Sequence, residues 1–349
     1  MGVSKIPNTC TMRIRTGTWV VIGALVLGGI TLGSALWGRY LAETGPLTAP
    51  ATVVINSGEG PRTMAAKLVQ AGVIRHAEPF VWAVRLLGLQ GTLKAGEYAF
   101  DAGISLRATI NKLALGDTEN RAITIPEGFT VKQVLARIES EQGLTGKITA
   151  RPAEGTLFPD TYGFRFGVER QNMIDAMAAR METELSEAWN ARETSLPLAT
   201  PSDLLILASI VQKEAASDAE MPEIAGVFIN RLRKNMKLQS DPTVIYGAEF
   251  DGNLRKKNMT EPHPFNTYVY AGLPPTPIAN PGRAALRAAA QPVATEYLFF
   301  VAAPDRASHV FARTYAEHQL NVARYWSEVQ KREHQTKRMS PTSPSPTHK

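Results

Sequence analysis

Glu214 is the residue whose type and position could do chemistry. It lies in the stretch LASIVQKEA (207–215), which continues an apolar run through Leu204, Leu205 and Ile206. Stepping back from Glu214 by threes and fours reaches Ile210 or Val211, then Leu207, then Leu204. On a helix these positions share one face, so the acid falls on the apolar stripe and Lys213 points away from it. A carboxyl in that setting loses hydration, which disfavours its charged form and raises its pKa. It then keeps a proton near neutral pH and can give it to a leaving oxygen. The alternative is an ordinary helix end, because EAASDAE follows and an acid there lies in water.

Three further stretches carry groups that could serve such an acid. KLQSDPTVIYG (237–247) contains Asp241-Pro242, a turn initiator, then a short strand-like run ending in Tyr246. FNTYVYAGLPPTPIANPG (265–282) sets Asn266, Thr267, Tyr268, Tyr270 and Asn280 among glycines and prolines. Prolines stiffen a loop and lower the entropy lost on binding, while amides, hydroxyls and tyrosine rings suit the faces and hydroxyls of sugars. A loop of this length is usually functional or disordered, and this one is too aromatic for disorder. EGTLFPDTYGF (154–164) adds Glu154 and Asp160. Asp241 and Asp160 read equally well as turn residues beside their prolines.

Other chemistries fit less well. The six histidines are scattered, Glu317-His318 reads as structural, and no P-loop, G-x-S-x-G elbow or H-E-x-x-H occurs. Cys10 is the single cysteine, so internal disulfides and cysteine-rich metal sites are excluded, and it precedes the apolar segment rather than following it as a lipidated cysteine would. We expect no metal and no cofactor. The net charge of +6 is mild and forms no basic stripe with interleaved aromatics, which argues against a nucleic-acid partner.

The elements that position these residues follow from patterning. Among 349 residues, 44% are hydrophobic and 20% charged, as in a globular chain with a sizeable core. No charge occurs between Arg15 and Arg39, and residues 18–38 are long and apolar enough to cross a bilayer, bracketed by Trp19 and Trp37. Lys5, Arg13 and Arg15 precede this helix, which puts residues 1–17 in the cytoplasm and the rest outside. A cleaved signal peptide is the rival reading. Residues 39–50 read as a linker. TVVINSGEGPRTMAAKLVQAG (52–72) and RAITIPEGFTVKQVLARIESEQG (121–143) share a strand–turn–helix plan, with Thr63 and Thr130 as candidate N-caps. A further helix near 78–88, a hairpin-like piece at 91–100 and a helix at 105–115 make 51–118 a small strand–helix–helix–strand unit. The larger remainder, 119–330, has helices expected at 169–192, 202–216 and 220–234, a strand at 296–303, and a strand edge leading into a helix over 309–326. The Pro- and Ser-bearing residues 331–349 read as a disordered tail. Irregular mixing of helices and strands indicates an α+β fold.

Taken together, AEGTLFPDTYGF, LASIVQKEA, VFINRL, LQSDPTVIYG, FNTYVYAGLPPTPIANPG and HVFARTYAEHQLNV resemble the endolytic murein transglycosylases, the YceG-like family, over about residues 50–328. The resemblance implies that Glu214 is the catalytic acid and that 51–118 is a LysM-like unit. It implies cleavage of the β-1,4 bond between N-acetylmuramic acid and N-acetylglucosamine in peptidoglycan strands, with a 1,6-anhydro product end. It further implies an inner-membrane enzyme with its catalytic part in the periplasm, working beside peptidoglycan synthases to terminate new strands. Asp241, Tyr246, Asn266, Tyr268, Glu154 and Asp160 become candidates to line the sugar subsites or fix the loop. Family members often carry a second glutamate two places before the catalytic one, where this chain has Gln212. A water-using glycosidase needs two placed carboxyls, whereas attack by the sugar's own 6-hydroxyl needs one. A non-catalytic wall-binding scaffold and a hydrolase using Asp241 or Asp160 as the second carboxyl are the competing readings.

Overall fold

A computed structural model describes residues 16–247, 254–305 and 307–339. The described chain is a mixed α+β protein that divides into two compact units. The first comprises the residues up to Asn120 with Arg165–Gly167; the second comprises Arg121–Phe164 and the chain from Val168 onward.

In the first unit, helix α1 (Thr16–Ala42) precedes β1 (Ala51–Ile55), α2 (Pro61–Gln70), α3 (Ala77–Leu86), β2 (Gly96–Phe100) and α4 (Leu106–Leu115). β1 and β2 pair antiparallel, from Ala51 opposite Phe100 to Ile55 opposite Gly96. Their period of two sends Val53, Ile55, Tyr98 and Phe100 inward. There they meet Met64 and Leu68 of α2, Phe80 and Val84 of α3, and Ile110 and Leu113 of α4. The strand–helix–helix–strand order is thus as expected, with three differences. α2 starts at Pro61 behind Gly60, not at Thr63, because proline is preorganised for the first helical position. Within 91–100 only Gly96–Phe100 is a strand, and it pairs with β1 rather than folding back as a local hairpin. α1 runs on through Ala42, where a linker from residue 39 was expected, because Leu41 is buried in this unit's core.

Within α1, Val21–Ala42 is long and apolar enough to cross a membrane, with a mean hydropathy of 1.8 in its most apolar window, none of which is buried.

The second unit opens with β3 (Asn120–Thr124), α5 (Val131–Glu139), β4 (Thr161–Arg165) and α6 (Arg170–Asn190), β3 pairing with β4. Thr130 caps α5 as expected, its hydroxyl accepting from Gln133 N while the Gln133 side chain accepts from Thr130 N. Ile123, Val134, Ile138, Phe164 and Met177 form one core here. A second core gathers α6, α7 (Pro201–Glu214) and α8 (Met221–Arg233). α9 (Asp241–Gly247), α10 (Lys256–Thr260) and α11 (Arg283–Ala290) follow. α11 reads RAALRAAA, and its small side chains let it pack closely on both α7 and α8. The antiparallel pair β5 (Phe299–Ala302) and β6 (His309–Ala312) leads into α12 (Tyr315–Met339).

Two sequence expectations are overturned in this unit. Residues 241–247 are helical, not strand-like: Pro242 suits a first turn, and burial of Thr243 and Val244 outweighs the β-propensity of Thr243, Val244 and Ile245. α12 continues to Met339 through the segment expected to be disordered from Lys331, since Lys, Arg, Glu and Gln favour helix and the first proline of the tail is Pro341. The remaining tail and the first fifteen residues lie outside the described residues.

Candidate active site

The site is built on α7. Its start is fixed by a reciprocal cap: Thr200 Oγ1 accepts from Asp203 N at 3.2 Å, and Asp203 Oδ2 accepts from Thr200 N at 2.9 Å. Every residue from Leu204 to Val211 is buried, so the middle of α7 is enclosed on all sides rather than along a single stripe. Ser209 donates to Ile206 O and accepts from Ile278 N at 3.0 Å, tying the helix to the proline-rich loop. Glu214 is the last residue of this enclosed helix. Burial pushes its carboxyl up to about 7, and the neighbouring Asp241 charge adds to the rise; a hydrogen bond from Ser240 and the Arg231 guanidinium oppose it. The negative end of the helix dipole disfavours a carboxylate at the same place. Lys213 turns outward, donating to Gly128 O at 3.4 Å.

The loop after α8 delivers the partners. Ser240 Oγ donates to Glu214 Oε1 at 2.5 Å. Ser240 is itself fixed by a buried hydroxyl network, its N–H donating to Thr267 Oγ1 at 3.0 Å while Thr243 Oγ1 donates to Ser240 O at 2.7 Å. Asp241 follows directly and accepts from Tyr268 Oη at 2.7 Å. At the other end of α9, Tyr246 Oη donates to Glu154 Oε2 at 3.2 Å, and Glu154 Oε1 accepts from Val131 N at 2.8 Å. Burial raises the Glu154 carboxyl, and burial beside that carboxyl pushes the Tyr246 phenol up to about 12. Burial and the bond to Asp241 likewise raise Tyr268. Two tyrosine–carboxylate pairs, Tyr268–Asp241 and Tyr246–Glu154, therefore stand at the two ends of α9.

The remaining sequence candidates divide. Asn266 is buried, with Nδ2 donating to Asn258 O and Glu261 O at 2.8 Å each and Oδ1 accepting from Tyr268 N at 3.0 Å. Its amide thus holds the loop that presents Tyr268. Asp160 is exposed and accepts from Thr161 N at 2.7 Å, the turn role, and its charge acts on Glu127 and Tyr162, not among the influences on Glu214.

Sequence reading missed Ser240, Thr243, Arg231 and Glu127. The Glu127 carboxyl is raised by burial and by the Asp218 and Asp160 charges, and it hydrogen-bonds the Gln212 side chain. Gln212 Oε1 accepts from Gly282 N at 2.9 Å, and any side chain at Gly282 would collide with Glu127. Gln212 thereby brings a distant acid to the last turn of α7. Arg231 lies within VFINRL, beside the polar Asn230 and two residues before Arg233, so nothing in the sequence sets it apart as a buried charge. A cavity of about 320 Å³, lined by Val244, Gly247, Asn258, Glu261, His263 and Asn266, adjoins the Asn266 loop. Among the described residues, no group of three or more His, Cys, Asp or Glu side chains is placed to hold a metal ion.

Chemically, the arrangement is one acid that retains its proton to about neutrality, steadied by a hydroxyl, with a carboxylate beside it and a buried cation behind. Residues 53–324 match the profile of the YceG-like family. The chain is 32% identical over 338 residues to the endolytic murein transglycosylase of Bacillus subtilis (strain 168), covering 87% of this chain and 92% of that protein. It is 26% identical over 322 residues to the endolytic murein transglycosylase of Streptococcus pneumoniae serotype 2 (strain D39), covering 78% of this chain and 58% of that longer protein. The crystal structure of a YceG-like protein from Listeria monocytogenes superposes with a TM-score of 0.49 at 28% identity, covering 78% of this chain and 99% of that one.

Proposed function

This chain belongs to the YceG-like family, and we propose that it is an endolytic peptidoglycan lytic transglycosylase with Glu214 as its catalytic acid. The observation that carries the reading is the Glu214 carboxyl, pushed up to about 7 by burial at the end of an enclosed helix and bonded by Ser240. In the reaction, Glu214 gives its proton to the glycosidic oxygen between N-acetylmuramic acid and N-acetylglucosamine, and the bond from that oxygen to C1 breaks. The resulting Glu214 carboxylate takes the proton of the muramyl 6-hydroxyl as O6 bonds to C1. The product is a 1,6-anhydro end, Glu214 is again protonated, and no water is consumed. Because the nucleophile is tethered to the reacting sugar, proximity replaces a second carboxyl and its bound water.

Asp241 and Tyr268 flank the acid and Glu154 and Tyr246 extend the row, so these four line the sugar subsites. Asn266 and Asp160 hold the loops around them. The first unit, with its β1–α2–α3–β2 order, acts as a LysM-like module, and the second unit is the catalytic domain. The apolar stretch of α1 is a single-pass inner-membrane anchor with a cytoplasmic N-terminus, which holds the catalytic part in the periplasm, where it terminates nascent strands beside peptidoglycan synthases.

Mass spectrometry of purified glycan strands incubated with the detergent-solubilised chain tests the activity. Strands cut internally with anhydro ends are expected. Reducing ends would replace the lyase by a hydrolase, and uncut strands would replace it by a wall-binding scaffold.

A further inference from the structure

α8 buries a cation. Arg231 is 6% exposed, packed among apolar neighbours, and among the described residues no carboxylate lies within ion-pair distance of it. Its Nε donates to Leu298 O at 2.7 Å, and its Nη1 donates to Leu238 O at 2.6 Å and to Lys237 O at 3.5 Å. The guanidinium carbon lies 5.4 Å from the centroid of the Phe299 ring. Removing a charge from water without a counter-ion is costly, and three backbone carbonyls need only a hydrogen-bond donor, not a positive charge. The charge therefore calls for a use.

Two features converge on it. The segment between Arg231 and Ser240 contains two non-glycine residues in the left-handed region, Asn235 at φ 51° and Gln239 at φ 52°. Such a backbone persists only where its surroundings fix it, and Arg231 grips Lys237 and Leu238 immediately before Gln239 and Ser240. The guanidinium also acts electrostatically on Glu214 and Tyr268. The groups that face Glu214 are Ser240, Asp241 from α9, Tyr268 from the following loop and Arg231 from α8; Arg231 also faces His318 of α12. Among these influences on Glu214, Arg231 is the one that favours a negative charge from a distance, whereas Asp241 opposes it.

We infer that Arg231 is a positioning residue of the cleavage reaction: it clamps the segment that presents Ser240, and it supplies the positive charge the Glu214 carboxylate meets once its proton has passed to the leaving oxygen. This rests on the proposed role of Glu214 as the acid. With the charge in place, proton donation leaves a stabilised carboxylate that can next accept the 6-hydroxyl proton; without it, Glu214 is a weaker acid and its carboxylate is less stabilised after donation.

The test uses the full chain in detergent, with two readouts for Arg231→Gln and Arg231→Lys: the ¹³C titration of the Glu214 carboxyl, identified by its loss in Glu214→Gln, and kcat and KM for release of anhydro ends. For Arg231→Gln the Glu214 midpoint is expected to rise by about half a pH unit or more, with kcat lowered about tenfold as the clamp and the charge are lost together, and KM within about twofold of wild type. For Arg231→Lys the midpoint is expected to stay within about 0.3 unit of wild type, with a kcat between the two, since the charge is kept and the fork is lost. A Gln variant that titrates like wild type, or Gln and Lys variants that lose rate equally with unmoved midpoints, overturns the inference. If Arg231→Gln does not fold, Arg231→Lys decides: an unmoved midpoint supports the charge role, and a midpoint raised by about half a unit or more despite the retained charge overturns it. Uncut strands with wild-type chain would sink the catalytic reading, while the titration still reports on the Arg231–Glu214 coupling.

Discussion

In the catalytic role we propose for it, Glu214 links the pH range of activity to the stability of the fold through one titration. The acid must hold its proton to work, so kcat/KM for anhydro-end formation is expected to fall above about pH 7, by about tenfold per pH unit; assays from pH 5 to 9 read this limb. Burial raises the folded pKa above the ordinary 4.5, so the folded state binds a proton the unfolded chain has released. The sign follows: the stability contribution is fully present below 4.5 and is lost as pH rises from there through about 7. Glu214→Gln replaces the acid by a neutral isostere. It is expected to abolish cleavage, to match the stability of wild type at pH 4 in urea denaturation, and to exceed it at pH 8.5 by at most about 3 kcal/mol, less after solvent screening of the partly exposed side chain. Ser240→Ala removes a hydrogen bond that favours the Glu214 carboxylate, so its alkaline limb is expected to move upward even as kcat falls; an unmoved limb would show that the 2.5 Å contact does not tune the acid. Glu214 itself was legible in the sequence, because an acid closing a long apolar run is conspicuous. Ser240 and Arg231 were not, because their bonding partners lie 26 residues away for Ser240 and 67 for the Arg231–Leu298 contact, distances over which no periodicity signals a pairing.

Among the elements, helices with apolar periodicity were legible, including the short α3, α4 and α5, whereas α9, α10 and α11 of the loop region were not. α6, α7 and α8 fall within a residue or two of the expected spans because apolar periodicity and their opening residues agree. α9 was misread because seven residues rich in β-branched side chains look like a strand until Thr243 and Val244 find a buried place. At the junction of α5, the Glu154 turn and the start of α11, one side chain bridges two segments far apart in sequence. Asn280 is fully buried; Oδ1 accepts from Leu157 N and Nδ2 donates to Phe129 O, both at 2.8 Å. Asn280→Ala leaves a buried N–H without its partner and a carbonyl with one bond fewer, and is expected to destabilise the chain by about 2–4 kcal/mol. Urea denaturation reads it; a cost below about 0.5 kcal/mol would mean that water replaces both bonds. Because the same junction carries Glu154 and Gly282, this variant is also expected to lose activity before it loses its fold.

At the scale of the whole chain, what matters is how α1 joins the first unit. A hinge would be expected if 39–50 were a linker, as composition suggested. Instead the helix continues to Ala42, Leu41 is 6% exposed in the core of that unit, and Trp37 and Tyr40 stack with ring centroids 5.8 Å apart against the same core. Beyond the helix the chain is pinned again, Gly45 N donating to Gly103 O at 3.1 Å and Gly103 N to Leu47 O at 2.7 Å. The last turns of the proposed anchor are therefore part of the folded unit, and a soluble form cannot be cut at the end of the helix without damage. Truncations starting at Ser34 and at Thr44 discriminate. The shorter lacks Leu41, whose loss alone costs about 2–5 kcal/mol in a packed core, together with the cover of Trp37 and Tyr40. It is expected to unfold at a clearly lower temperature, with the difference confined to the transition of the first unit, and full-length Leu41→Ala is expected to reproduce part of the loss. If both truncations melt together, α1 is a tether that ends at the membrane and its contacts with the core contribute nothing; if the shorter alone melts early, the anchor and the first unit fold as one body.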